Sequence, residues 1–151
     1  MALRNIVQVE DPILRKKCKP VEKVDDKIRD LLSDMAETMY HAPGRGLAAC
    51  QVGILRRLVV IDMGQGDGLI KLVNPRITHA EGEQEVIEGC LSIPGKAGWL
   101  LRPFEVTVEA LDENGNPITL TGTGDLAKCF CHELDHLDGV LYSDKVIRWE
   151  E

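Results

Sequence analysis

Gly124-Asp125-Leu126-Ala127-Lys128-Cys129-Phe130-Cys131-His132-Glu133-Leu134-Asp135-His136-Leu137-Asp138-Gly139 is the stretch on which the reading of this chain turns. It contains the pattern H-E-x-x-H at His132–His136. On an α-helix, residues four apart lie one above the other on the same face. His132 and His136 can therefore offer a ring nitrogen to one metal ion, with Glu133 beside them to handle protons. Leu126, Phe130, Leu134 and Leu137 recur at spacings of four, four and three, which marks a buried helical stripe. Gly139 falls where such a helix would stop. The plainer alternative is a core helix with two hydrogen-bonded histidines and a solvated glutamate.

Two histidines do not complete a catalytic metal site, which usually takes three protein ligands and one open position. One protease class continues as H-E-x-x-H-x-x-G-x-x-H. Here Gly139 is in place, but Tyr142 stands where the third histidine would be. Another class draws a glutamate from a later helix. Only fifteen residues follow His136, and their carboxylates are Asp138, Asp144, Glu150 and Glu151, with no room for a further packed helix. A third ligand must therefore lie upstream. Cys129 shares the helix face but lies a further turn from His136, a poor geometry for closing a tetrahedron.

Outward from this helix, 151 residues suffice for one domain with a real core, and no repeat or linker divides positions 1–151. The composition, 44% hydrophobic and 28% charged, is that of a globular protein. A net charge of −7 argues against a broad electrostatic grip on nucleic acid. There is no long apolar run and no signal-peptide pattern, so the cytoplasm is the expected compartment and no membrane partner is expected. Five cysteines, an odd set, fit free thiols and metal ligation better than a disulfide framework.

Residues 1–23 read as an irregular arm. From Asp25 to about His41 the apolar positions Ile28, Leu31, Leu32, Met35 and Met39 form one helical stripe, with Asp25 as N-cap. Arg57 to Met63 and Leu69 to Asn74 read as strands joined by a glycine-rich turn at 64–68, and Asn74-Pro75 is expected to end the second. Ile77 to Ile87 suits strand–turn–strand around Gly82, with His79 on the surface. Glu88 to Gly95 is read as non-helical and closed by Pro94. Its Cys90, flanked by glycine, can be aimed at an external group or serve as a small buried hydrophobe. Phe104 to Leu111 alternates as a half-buried strand, and Asn114-Gly115 is a hairpin turn into 117–121.

Three segments, Gly44-Arg45-Gly46-Leu47-Ala48-Ala49-Cys50-Gln51, Glu88-Gly89-Cys90-Leu91-Ser92 and His132-Glu133-Leu134-Asp135-His136, occur in order and at suitable separations. Together they resemble the three signature motifs of bacterial peptide deformylase, and the likeness covers essentially the whole chain. The resemblance implies an α+β fold, with antiparallel sheets packed around a central H-E-x-x-H helix and a second, amphipathic N-terminal helix. It implies a metal held by Cys90, His132 and His136, with Glu133 as general acid/base. Gln51 and the backbone N–H of Leu91 would stabilise the oxyanion, while Arg45, Gly46, Glu88 and Cys129 would line the substrate pocket. Fe2+ would be the native ion, with Zn2+, Ni2+ or Co2+ able to substitute. The substrates would be N-formylmethionyl nascent peptides, met near the ribosomal exit. Arg45, Cys50 and Cys131 depart from the usual pattern, and none of them is a proposed ligand or catalytic group. Two alternatives remain: a small zinc endopeptidase of the H-E-x-x-H type, and a non-catalytic paralogue stabilised by a structural metal.

Overall fold

A computed structural model describes residues 2–66 and 68–151, so Asp67 of the expected 64–68 turn lies outside the described residues. Helix α1 spans Asp26–His41, and the Asp25 side chain accepts the Ile28 amide at 3.1 Å as its N-cap. Five strands form one antiparallel sheet: β1 (Gly46–Ala48), β2 (Leu58–Ile61), β3 (Ile70–Glu81), β6 (Glu105–Leu111) and β7 (Pro117–Thr123), in the order β1-β2-β3-β6-β7. A second sheet, ordered β4-β5-β8, is built from β4 (Gln84–Cys90), β5 (Ile93–Arg102) and β8 (Arg148–Trp149). Helix α2 (Asp125–Leu137) packs between them.

The layering explains why Leu58-Val59-Val60-Ile61 is apolar at every position. Leu58 and Val60 pack with Leu32, Met35 and Met39 of α1, whereas Val59 and Ile61 join the cluster around α2. A strand covered on both faces needs no polar alternation. Phe130, Leu134 and Leu137 of α2 sit in the same cluster as Leu72, Val106 and Val108 of the large sheet and Val86 and Leu100 of the small one. Each fully buried side chain of this kind is worth about 1.5–3 kcal/mol. Gly139 ends the helix at φ 77°, and a Cβ there would stand 2.4 Å from the Arg15 carbonyl oxygen of the N-terminal arm. Only glycine meets both demands.

The strand layout departs from expectation at two places. Asn74-Pro75 does not end β3, which continues to Glu81. The missing proline N–H and the φ of 53° at Asn74 are absorbed as a register shift between Val73 and Arg76. The Asn74 side chain meanwhile bonds the Val21 amide at 2.7 Å and its carbonyl at 2.8 Å, tying the arm to this bulge. Residues 77–87 form the expected strand–turn–strand around Gly82, at φ 72°, which turns the corner between β3 of one sheet and β4 of the other. The segment beyond Glu88 is non-helical as expected, but Pro94 does not close it and lies inside β5. Strands β4 and β5 make a hairpin, with Cys90 opposite Ile93 and Leu91-Ser92 at its tip.

Candidate active site

Three elements converge on one cleft. Helix α2 brings His132, Glu133 and His136, all buried. The β4–β5 hairpin tip brings Cys90 and Leu91. The single 3-10 turn after β1, Ala49–Val52, brings Gln51. Cys90, His132 and His136 each offer one ligand atom, and these atoms lie within 4.8 Å of one another. Cys90 Sγ is 3.3 Å from His136 Nε2.

His132 Nδ1 meets Glu88 Oε1 at 2.7 Å, which leaves the other ring nitrogen for the cluster. Glu88 is in turn gripped by Arg102, through Nε at 2.7 Å and Nη2 at 3.0 Å, and Arg102 Nη1 reaches Asp135 at 2.8 Å. Glu88 borders the cleft as expected of a substrate-binding residue, but Oε1 is taken by His132 and Arg102 and Oε2 by Arg102. Burial opposes its charge, yet the Arg102 and His132 contacts prevail and hold its pKa at about 2. A carboxylate behind a ligating histidine fixes both tautomer and ring orientation.

Gln51 is fixed at both ends of its amide. Its Oε1 accepts the Ala48 N–H at 3.0 Å, while Nε2 donates to Ser92 Oγ at 3.1 Å and points at Cys90 Sγ from 3.5 Å. The amide donors thus face the cysteine side of the cleft. Gly46 lies directly over Glu133: a Cβ there would stand 2.7 Å from Glu133 Oε2 and 3.0 Å from Cys129 Sγ. Cys129 and Leu91 line the cleft together with Met63, while Arg45 and Lys128 stand on its rim. The Arg45 side chain is 61% exposed, with Asp125 at 3.9 Å as a loose partner.

The electrostatics of the cluster ask for a cation. Burial pushes His132 down, but hydrogen bonds to Cys90 and Glu88 reverse this and raise it to about 10. Burial pushes Glu133 up to about 7, and its Oε1 has no hydrogen-bond partner; neither does His136 Nδ1. One thiol and two imidazoles are also the donor types that suit zinc and ferrous iron. These residues fit a divalent transition metal. A second group, His79, Glu81 and Glu105, gathers on the exposed face where β3 pairs with β6, with His79 Nε2 at 3.2 Å from Glu81.

Five contributors escaped the sequence reading: Arg102, Ser92, Asp135, Lys128 and Met63. Arg102 lies near the end of β5, which the sequence pattern did not reveal as a strand. Asp135 was visible only as the variable residue inside the motif.

Two antiparallel sheets and two helices around such a cleft make an α+β protein with one candidate metal site. The family model described as polypeptide deformylase matches residues 3–151, and the chain belongs to that family. Peptide deformylase 2 of Clostridium acetobutylicum is 62% identical over 150 residues, covering 99% of each chain. The peptide deformylase of Finegoldia magna is 56% identical over 100% of this chain and 94% of its own. Among solved structures, the Legionella pneumophila peptide deformylase superposes with a TM-score of 0.92 at 47% identity, covering 95% of this chain and 86% of that one. The Ehrlichia chaffeensis peptide deformylase in complex with actinonin gives 0.94 at 38% identity, over 97% and 90% of the two chains.

Proposed function

We propose that Cys90, His132 and His136 hold one divalent metal ion and that Glu133 carries the proton during hydrolysis. The chain is an enzyme that deformylates nascent peptides, as its family membership and near-full-length identity to named deformylases establish. The observation that carries the residue assignment is Glu133, a buried carboxylate with an unpartnered oxygen beside the Cys90, His132 and His136 donor set. A structural metal site has no use for such a group.

A divalent ion in this position supplies Lewis acidity, which in the best zinc cases lowers the pKa of a coordinated water from about 15.7 to about 7. Glu133 accepts the proton of the attacking water and returns it to the methionine amine as the formyl C–N bond breaks, releasing formate. Its raised pKa suits both transfers near neutral pH. The Gln51 amide and the Leu91 backbone N–H are the donors for the charge that develops on the former carbonyl oxygen. One such fixed donor is typically worth about 3–4 kcal/mol. The methionine side chain enters between Met63, Leu91 and Cys129, with Gly46 leaving room for the peptide backbone. Arg45 and Lys128 then face the residues that follow methionine.

Fe2+ is proposed as the native ion, with Zn2+, Ni2+ and Co2+ as substitutes, and the cytoplasm near the ribosomal exit as the place of action. The family match over 3–151 supports reading the chain as one catalytic domain. Neither a small endopeptidase nor a non-catalytic paralogue is favoured at this identity over the full chain. Among the described residues no helix is long and apolar enough to cross a membrane. The test is formate release from formyl-Met-Ala-Ser by anaerobically purified protein, with metal analysis of the same sample. Casein cleavage without formate release would overturn the reading.

A further inference from the structure

Two thiols that take no part in this chemistry lie side by side at the C-terminal end of α2. The Cys18 amide donates to the Leu137 carbonyl at 2.8 Å, and Cys50 Sγ donates to the His136 carbonyl at 3.4 Å. Successive carbonyls of one helical turn thus bring the two cysteines together, with their thiols near enough to influence each other. Both are buried in the same apolar cluster, and both are free. Arg57 crosses the same helix end, with Nη1 at 3.3 Å from the Leu137 carbonyl and 2.9 Å from Asp138. Cys18 retains 5% of its surface and Cys50 none, so the Cys18 sulfur is the one a small oxidant meets first.

No comparable pair exists among the other described cysteines. Cys129 and Cys131 are two apart on α2 and point to different sides of the helix, and burial pushes both thiols up. Cys18 also belongs to the N-terminal arm, which is tied down by the Asn74 side chain, by the Arg4–Asp34 and Arg15–Asp144 pairs and by backbone bonds. Among these are Val7 to the Gln51 carbonyl at 2.7 Å and Val9 to the Ser92 carbonyl at 2.9 Å. The 5% of Cys18 that stays exposed is the path by which a small oxidant reaches the pair.

We propose that Cys18 and Cys50 form a reversible disulfide on exposure to small hydroperoxides, clipping the arm to the segment that carries Gln51. The Cys18 sulfur attacks the peroxide O–O bond and becomes a sulfenic acid, and the hydroperoxide leaves reduced as water or alcohol. The Cys50 sulfur then displaces the sulfenic oxygen as water, its own proton leaving with that water, and the S–S bond forms. The peroxide supplies the two-electron oxidation, and an external thiol reverses it by exchange. In a reducing compartment a disulfide of this kind is transient.

The test is thiol chemistry and is independent of turnover, so it stands or falls apart from the catalytic assignment. Nickel-loaded protein is titrated with hydrogen peroxide, its remaining thiols are alkylated, and the peptides are mapped by mass. The expected first product is a Cys18–Cys50 linked peptide that disappears on treatment with dithiothreitol. Cys50→Ser keeps a donor for the His136 carbonyl and should stop at a Cys18 sulfenic acid that dimedone traps. Cys18→Ser should leave Cys50 alkylatable at the same peroxide dose. The proposal is overturned if Cys18 passes to sulfinic acid without the link, if it links to another cysteine, or if both thiols stay reduced at doses that oxidise Cys90.

Discussion

Gly46→Ala tests the geometry of the cleft more sharply than deletion of a functional group would. Gly46 has no positive φ and sits in β1, so alanine costs the backbone nothing. The added methyl carbon would lie 2.7 Å from Glu133 Oε2, 3.0 Å from Glu133 Cδ and 3.0 Å from Cys129 Sγ. Carbon and oxygen need more than 3 Å, so the Glu133 carboxylate must give way by several tenths of an ångström. Misplacement on the order of 1 Å can cost about 10²-fold in rate. Because the methyl also narrows the pocket, we expect kcat to fall about 10- to 100-fold, KM to rise, and metal content to stay unchanged. Stopped formate assays on formyl-Met-Ala-Ser, paired with metal analysis and a melting curve, separate these effects. Wild-type kcat in a folded, metal-loaded Gly46→Ala protein would refute the placement of Glu133 against β1.

Glu133→Ala should keep the metal and lose about 10²- to 10⁴-fold in turnover, whereas Cys90→Ala should lose metal and turnover together; both are read by activity and metal content. Arg102→Met strands the buried Glu88 carboxylate without its partner and should cost about 3–5 kcal/mol, seen as a lower urea midpoint; an unchanged midpoint would show that the Arg102–Glu88 pair does not matter. The acidic limb of kcat/KM should follow Glu133, active when deprotonated and failing as pH drops through its pKa. That limb should fall between the ordinary glutamate value of about 4.3 and about 7, to which burial chiefly raises it against the His132 and Arg102 charges, because a bound cation pulls it down from the latter. Arg45 on the exposed rim should favour formyl-Met-Ala-Glu over formyl-Met-Ala-Lys at low salt, with the preference fading at high salt; an identical Glu/Lys ratio in Arg45→Leu would remove it from substrate reading.

What could be read directly from the chain is whatever depends on short spacings. The 3.6-residue period placed His132, Glu133 and His136 on one helix beside the stripe of Phe130, Leu134 and Leu137. The same period marked α1 with its Asp25 cap, and Asn114-Gly115 announced the β6–β7 turn. Cys90 and Gln51 stood out through the motif likeness, not through any local pattern. Tertiary structure decided the rest, because strand partners are chosen by packing between distant segments. Glu88 carries no local sign that its carboxylate turns inward to Arg102 and His132 rather than outward to substrate; that follows from the β4–β5 pairing and the buried charge it must satisfy. Asn74-Pro75 reads as a strand break until the Val21 backbone is there to bond the asparagine side chain. Cys18 and Cys50, remote in sequence, become neighbours only because the end of α2 presents successive carbonyls to both. Hydrogen bonds within a helix or tight turn depend on local order alone, whereas a buried charge or thiol finds its partner only after the layers have closed.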